Sequence, residues 1–360
     1  MKVGLIGCGS ISAVYLRVAQ RFPMIEIVAA ADIVPENAQR RAEEFGIPKV
    51  YTPEELLADP EIEVVLNLTV PKAHAPVNRM ALEAGKHVYC EKPFGVNREE
   101  ARAVLELAQA KGLRVGCAPD TFLGAGHQTC RKLIEDGAIG EPIGAVAFML
   151  SRGVESWHPN PEFYYEVGGG PMLDMGPYYL TALVNLMEPM KRVAGISRIT
   201  FPTRLITSQP KYGKVIQVET PTHITGAIEF QRGAIATVIM SFDVWAHRLP
   251  CIEIYGTEGS LGVPDPNGFG GTVLLRKKDS PEWVEVPHTH PYAEQNRILG
   301  LADMILAIQE GRPHRASGEL AYHVLDAMLA FNESSETGAH RWLESTCAQP
   351  EPMPAEGLSA

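Results

Sequence analysis

The chain has 360 residues, 45% of them hydrophobic and 21% charged, which excludes disordered and fibrous classes and suffices for two domains with their own cores. Its formal net charge is -11 with no lysine or arginine run, so a phosphate backbone or an anionic membrane is repelled, and neither nucleic acid nor a membrane is an expected partner. The first residues run straight into a strand, no apolar stretch approaches a membrane span, and the six cysteines form no Cys-x-x-Cys pair, so a cytoplasmic protein with reduced thiols is expected.

From residue 1 to about 120, short apolar runs alternate with helical patterns. Strands are expected over 3–6, 25–31, 64–68, 87–90 and 113–117, and helices over 12–22, 35–45, 73–84 and 98–111. Runs apolar on both faces, separated by helices, predict a parallel sheet covered on both sides. After Thr121 a helix over 124–136 leads into β-branched, alternating segments over 143–150, 193–200, 222–230, 234–242, 251–256 and 272–275. Turns such as Gln231-Arg232-Gly233 and Thr257-Glu258-Gly259 separate several of them, which predicts a largely antiparallel sheet. Helices over 174–187, 294–310 and 317–337 cover part of it, and a partner's sheet is the expected cover for the rest. The fold class is therefore α/β: an amino-terminal Rossmann parallel sheet (1–120), then an α+β domain with a large, mostly antiparallel open sheet (121–345), then a proline-rich flexible tail (346–360).

Gly7-Cys8-Gly9-Ser10-Ile11-Ser12 follows a strand and opens a helix, as a pyrophosphate-binding turn must. Gly7 permits the bend, Gly9 lets backbone approach the phosphates, and Ser10 and Ile11 begin the helix's positive end. Ser12 replaces the usual third glycine with another small residue. Asp32 ends the second strand about 20 residues beyond the glycines, where a carboxylate accepts the ribose hydroxyls of NAD and repels the extra phosphate of NADP. No basic residue follows it immediately, so NAD is expected over NADP; Arg40 and Arg41 lie on a helical pattern and are expected to be solvated. Thr69 and His74, after the third predicted strand, are candidate cofactor neighbours, although Pro71 to His74 reads equally as a helix's first turn.

Glu91-Lys92-Pro93 closes the strand over 87–90, where ligand chemistry is expected in an open α/β sheet. Farther on, Gly168-Gly169-Gly170-Pro171-Met172-Leu173-Asp174-Met175-Gly176-Pro177-Tyr178 places Asp174 and Tyr178 four apart, on one helix face. Together with the amino-terminal turn, these segments resemble the Gfo/Idh/MocA oxidoreductases over nearly the whole chain, to about Arg341. The resemblance implies a Rossmann domain, a second domain whose open sheet often forms the oligomer interface, and an active site between them. It also implies a cis Lys92-Pro93 bond and places Glu91 and Lys92 beside the cofactor. Many members carry Asp-x-x-x-His; Asp174-x-x-x-Tyr178 is similar instead to glucose-fructose oxidoreductase and dimeric dihydrodiol dehydrogenase.

Lys92, Asp174 and Tyr178 are thus the candidate catalytic and substrate-binding groups. In one role assignment Tyr178 exchanges the substrate hydroxyl proton beside the Lys92 cation, since a free phenol titrates near pH ~10 and needs a positive neighbour. In another, Lys92 is the acid-base group and Tyr178 an anchor; a plain core tyrosine is the third reading. Trp157 and His158, in an aromatic and polar segment reaching Tyr165, suit a sugar's apolar faces and hydroxyl rim, or else pack at a subunit contact. His288-Thr289-His290 lacks further ligands at metal spacing, so no metal is expected.

The expected activity is NAD-dependent hydride transfer between nicotinamide and a hydroxyl carbon of a sugar, polyol or glycoside. The alternatives are a redox-neutral, NAD-retaining glycosidase or lyase acting by transient sugar oxidation, and a non-catalytic sugar or NAD sensor. The expected partners are a small carbohydrate and further copies of the chain, as a homodimer or homotetramer.

Overall fold

A computed structural model describes residues 1–359. Its first part alternates strand and helix: β1 (Lys2–Ile6), α1 (Ser12–Ala19), β2 (Glu26–Ala31), α2 (Pro35–Phe45), β3 (Lys49–Tyr51), α3 (Pro53–Ala58), β4 (Val64–Asn67), α4 (Pro71–Glu83), β5 (His87–Cys90), α5 (Arg98–Lys111) and β6 (Val115–Cys117). Prolines open α2, α3 and α4, where the missing N–H costs nothing. Thr52 and Glu55 form a capping box on α3, and Asn97 caps α5, which ends at left-handed Gly112.

The six strands are all parallel, in the order β3-β2-β1-β4-β5-β6. Every residue of β4 and the ends of β1, β2 and β5 nearest the crevice are buried, because helices cover both faces. The strand order reverses between β1 and β4, so the carboxyl ends of β1, β2, β4 and β5 open onto one crevice. The short β3 and α3 went unpredicted, since three residues carry no measurable periodicity.

The second part comprises α6 (Ala125–Glu135), β7 (Pro142–Leu150), α7 (Gly170–Leu186), β8 (Met190–Arg198), β9 (Thr203–Leu205), β10 (Val215–Gln217), β11 (His223–Phe230), β12 (Ile235–Ser241) and β13 (Ile252–Gly256). It continues through β14 (Gly259–Val263), β15 (Val273–Lys277), β16 (Val284–Val286), α8 (Leu299–Glu310), α9 (Gly318–Thr337) and β17 (Arg341–Trp342). Nine strands form one sheet, ordered β16-β15-β14-β13-β7-β12-β11-β8-β17, in which only the β12–β7 pair is parallel. β9 and β10 pair separately as a small antiparallel ribbon.

One face of the large sheet packs against α6, α7 and α9. Ala145, Ala147, Val193, Ile224, Ile228, Ala236 and Val238 point to those helices and are buried. On the other face Ile196 and Ile235 are exposed. α9 lies very close to β8 and β11: a Cβ on Gly195 would sit 2.4 Å from the Phe331 carbonyl oxygen.

The two sheets are joined by more than the linker after β6. Cys117 N–H donates to the Ala316 carbonyl, Gly116 bridges to Ser317, and the His314 ring meets the Val115 carbonyl. The α8–α9 connection therefore seals the β6 edge. Arg98 at the start of α5 pairs with Asp326 and Glu333 of α9.

Two expectations need correction. The helix expected from residue 294 begins only at Leu299, because Ile298 takes a left-handed φ of 105° and stops the helix from extending backward. The tail expected to be flexible is pinned. Met353 is buried, its N–H donates to Gln128 Oε1, Arg315 donates to the Glu351 and Pro352 carbonyls, and Leu358 N–H donates to the Tyr292 hydroxyl. Apolar side chains at Met353 and Leu358 supply the burial that a proline-rich composition conceals.

Gly195→Val would force α9 away from β8 and lower stability by about 1–3 kcal/mol. Denaturant unfolding checks this; a wild-type midpoint would show that the helix–sheet approach is not tight.

Candidate active site

The glycine turn after β1 is shaped by its surroundings. Gly7 has φ 98°, and a Cβ there would lie 2.6 Å from the Leu68 carbonyl, so the β1 and β4 loops touch through a bare Cα. At Gly9 a Cβ would meet nothing within 4 Å, leaving open space in front of the turn. Among the described residues no protein acceptor meets the N–H groups of Gly9, Ser10 or Ile11. An open cradle of free donors at the start of α1 fits a dinucleotide pyrophosphate.

Ser12, in the third glycine's place, donates to the Gly9 carbonyl at 2.6 Å and accepts from Arg41 Nε at 2.9 Å. Arg41 also donates to the Gly9 carbonyl at 3.1 Å. The expectation of a solvated Arg41 is thus corrected: from α2 it braces the turn, while Arg40 stays exposed. Asp32 at the end of β2 accepts from Cys8 N–H at 2.7 Å and Val34 N–H at 2.8 Å. Both carboxylate oxygens are thereby oriented, and each keeps a lone pair for a ribose hydroxyl.

At the end of β4, buried Asn67 organises the next loop: its Oδ1 accepts from the Thr69 hydroxyl at 2.7 Å, and its Nδ2 donates to Asn78 Oδ1 at 2.8 Å. Thr69 lies at the crevice wall. His74 lies in the first turn of α4, one of the two readings open from sequence, and its ring is turned into the protein. It is 1% exposed, with Nδ1 2.6 Å from the Pro93 carbonyl and Nε2 3.0 Å from the Thr69 carbonyl. Two acceptors require two donors, so the ring is the imidazolium. Burial opposes that charge, but Cys90 and the two carbonyls outweigh it and push the pKa up to about 9. His74 therefore ties the Thr69 loop to the turn that carries Lys92.

That turn is built around Glu91, whose carboxylate accepts from the Tyr15 hydroxyl at 2.7 Å and from Lys92 N–H at 2.8 Å. Tyr15 stands on α1, so the helix of the glycine turn also positions the lysine. The Lys92-Pro93 bond is cis. Lys92 Nζ crosses to the second domain's helix α7 and donates to both the Asp174 carbonyl and Asp174 Oδ1, each at 2.8 Å. Burial opposes the ammonium, but Asp174, Tyr178 and Glu91 together raise its pKa.

Tyr178, one turn along α7, is 7% exposed and lies with its ring centroid 5.2 Å from Lys92 Nζ and 6.0 Å from the guanidinium carbon of Arg297. Its pKa is raised: burial is the largest influence, and the two cations oppose it without prevailing. Lys92 is the positive neighbour expected beside the phenol, and desolvation outweighs its pull.

Trp157 is 64% exposed, while His158 is half-buried, edge-on to Trp157, Phe163 and Tyr164. His158 Nδ1 accepts from Asn160 N–H, and burial lowers its pKa, so the ring is neutral near pH 7. Tyr164 was not singled out from sequence. Its ring packs edge-on to His158 and against Phe163, and its phenol is raised by burial and then by the charge of Asp174. Arg297 was also missed, because it falls inside a segment that reads as a helix; Tyr15 reads as an ordinary apolar-face residue. His288 and His290 instead bond the Gly271 and Met353 carbonyls.

Comparison with known proteins agrees with this architecture. The family described as "Oxidoreductase family, NAD-binding Rossmann fold" matches residues 1–118, and the GFO/IDH/MocA C-terminal domain matches residues 127–262. The chain is 29% identical to 1,5-anhydro-D-fructose reductase of Ensifer adhaerens over 95% of its own length and 98% of that protein. It is 26% identical to D-glucoside 3-dehydrogenase of Escherichia coli K12, over 94% and 96% respectively. A solved levoglucosan dehydrogenase in complex with NADH and L-sorbose superposes with a TM-score of 0.84 at 23% identity, covering 96% of this chain and 99% of that one. Both halves thus match successive domains of one family, and the chain belongs to the GFO/IDH/MocA oxidoreductases, with their NAD-binding Rossmann fold as its first domain.

Proposed function

We propose that the protein is an NAD-dependent dehydrogenase or reductase acting on a hydroxyl carbon of a sugar, polyol or glycoside. The observation that carries this reading is the Lys92–Asp174 pair with Tyr178 beside it, at the strand ends that also hold the free N–H cradle and Asp32. NAD, when bound, would supply the hydride acceptor for the hydroxyl carbon, and its reduced form the hydride donor for the carbonyl. Gly9, Ser10 and Ile11 would hold its pyrophosphate and Asp32 its adenosine ribose, with Thr69, Glu91 and Lys92 flanking the reactive end. The relatives named above act, by their names, on anhydrofructose, glucosides and levoglucosan, which supports a small carbohydrate as substrate.

As the phenolate, Tyr178 takes the substrate hydroxyl proton during oxidation, and as the phenol it returns a proton to the carbonyl oxygen during reduction. Lys92 donates to the same oxygen, and Asp174 fixes the ammonium in place while balancing its charge. Trp157, His158 and Tyr164 form the rim that meets the ring and its hydroxyls. Residues 1–120 would serve the cofactor and 121–345 the substrate. The exposed sheet face around Ile196 and Ile235 serves as a subunit interface, since an apolar β-surface of this kind calls for cover.

Four outcomes follow. Tyr178→Phe should lower kcat roughly 10²–10⁴-fold with NAD binding unchanged, read as nicotinamide absorbance against a sugar panel. In the wild type, oxidation should accelerate with rising pH toward a phenol ionisation above the ordinary tyrosine range, while reduction should not; a pH-independent oxidation rate would refute the role. Asp32→Ala should cost NAD about 10–100-fold in kcat/KM while sparing NADP, and an equal loss for both would remove Asp32 from cofactor choice. Finally, Ile196→Asp should split the oligomer, as sedimentation would show; an unchanged mass would move the interface elsewhere.

A further inference from the structure

Arg297 occupies an unusual position. It precedes α8, and its guanidinium donates to Gln295 Oε1 at 3.0 Å and to Asn267 Oδ1 at 2.6 Å. Among the described residues it has no carboxylate within ion-pair distance, although most of the protein's partly buried arginines do. An uncompensated guanidinium beside a crevice is costly unless something there uses its charge. One side of it borders a cavity of about 350 Å³ lined by Asn267, Gly268, Phe269 and Gln295; the other faces the Tyr178 ring.

The backbone is committed to this placement. Ile298, immediately after Arg297, holds φ 105°, a conformation rare for a β-branched residue and strained by about 1–3 kcal/mol. Buried Asp120 stabilises it: one carboxylate oxygen accepts from Ile298 N–H at 2.9 Å and Gly300 N–H at 3.0 Å. An ordinary helical residue at 298 would extend α8 and turn the preceding side chain elsewhere. The strain therefore has a specific product, which is the direction of Arg297.

Around Tyr178 the charges are few. Lys92 and Glu91 approach from the end of β5, Asp174 from its own helix, Tyr164 from the aromatic loop, and Arg297 from the start of α8, with Asp120 behind it. Lys92 is engaged by Asp174, and Glu91 adds a negative charge, so Arg297 is the cation with no carboxylate bound to it.

We propose that Arg297, aimed by the strained Ile298 and its Asp120 clamp, is the electrostatic partner that lets Tyr178 give up its proton. It stabilises the phenolate without donating the proton itself, and so acts as a positioning residue for the acid-base step. This rests on the acid-base role of Tyr178 given above.

The test uses Arg297→Gln, Arg297→Lys and Tyr178→Phe in the full chain. Phenol ionisation is followed without substrate by difference absorbance near alkaline pH, with Tyr178→Phe subtracted, alongside the pH dependence of kcat. Arg297→Gln should move the Tyr178 ionisation to higher pH and lower kcat at pH 8 about tenfold or more with KM little changed, and Arg297→Lys should restore most of both. An unshifted phenol titration in Arg297→Gln overturns the proposal, as does a rise in KM alone, which would make the guanidinium a substrate anchor. If Tyr178→Phe keeps full activity, the acid-base reading itself fails; if it is inactive while Arg297→Gln titrates normally, only the role of Arg297 falls. Asp120→Asn provides a second check, since loosening the clamp should shift the phenol in the same direction without removing the cation.

Discussion

One ion pair holds the working geometry together. Lys92 extends from the last turn of the first sheet, and Asp174 receives it from a helix lying on the second. Neither sheet alone brings these groups together; Lys92 and Asp174 meet only because the two halves are docked within hydrogen-bond distance. Much of the surrounding structure keeps that meeting in register. Tyr15 and Glu91 fix the lysine's backbone, His74 ties its turn to the Thr69 loop, and Arg98 clamps α5 to α9 from farther out.

The site's chemistry comes from a contest between burial and charge. Around Lys92 the carboxylates win and the ammonium persists; at Tyr178 burial wins and the phenol stays protonated at rest. The proposed proton exchange at Tyr178 accordingly draws on a phenol whose base form grows as pH rises. His158 and His74 show the same contest with opposite outcomes, neutral in one case and charged in the other, because only His74 faces Cys90 and two backbone acceptors.

Sequence alone made the central features legible for physical reasons. The glycine turn, Asp32 and Glu91-Lys92-Pro93 each sit at a strand end, and a run of buried apolar residues marks each strand clearly. Asp174 and Tyr178 were readable because helical spacing puts them on one face. The features that escaped depend on tertiary contacts. Arg41 reads as a surface arginine until α2 is placed against the turn, and Arg297 reads as helical until Asp120, 177 residues earlier, is seen holding the next amide. For His74 the sequence left a cofactor neighbour and a helix's first turn equally open, since nothing local shows that the Pro93 carbonyl reaches its ring. β3, β14, β16 and β17 are too short, or too glycine-rich, for an alternating pattern to stand out.

The sealed β6 edge bears on how a substrate gets in. Because residues 314–317 are hydrogen-bonded to β6, the chain crosses between the halves along a broad seam rather than a single tether. A wide hinge opening about the linker near Pro119 would break that seam and the Arg98 clamp together. Motion that spares the seam is confined to loops outside it, such as the aromatic segment over 157–168, which contains neither strand nor long helix, so local rearrangement costs fewer contacts there than a swing of whole domains.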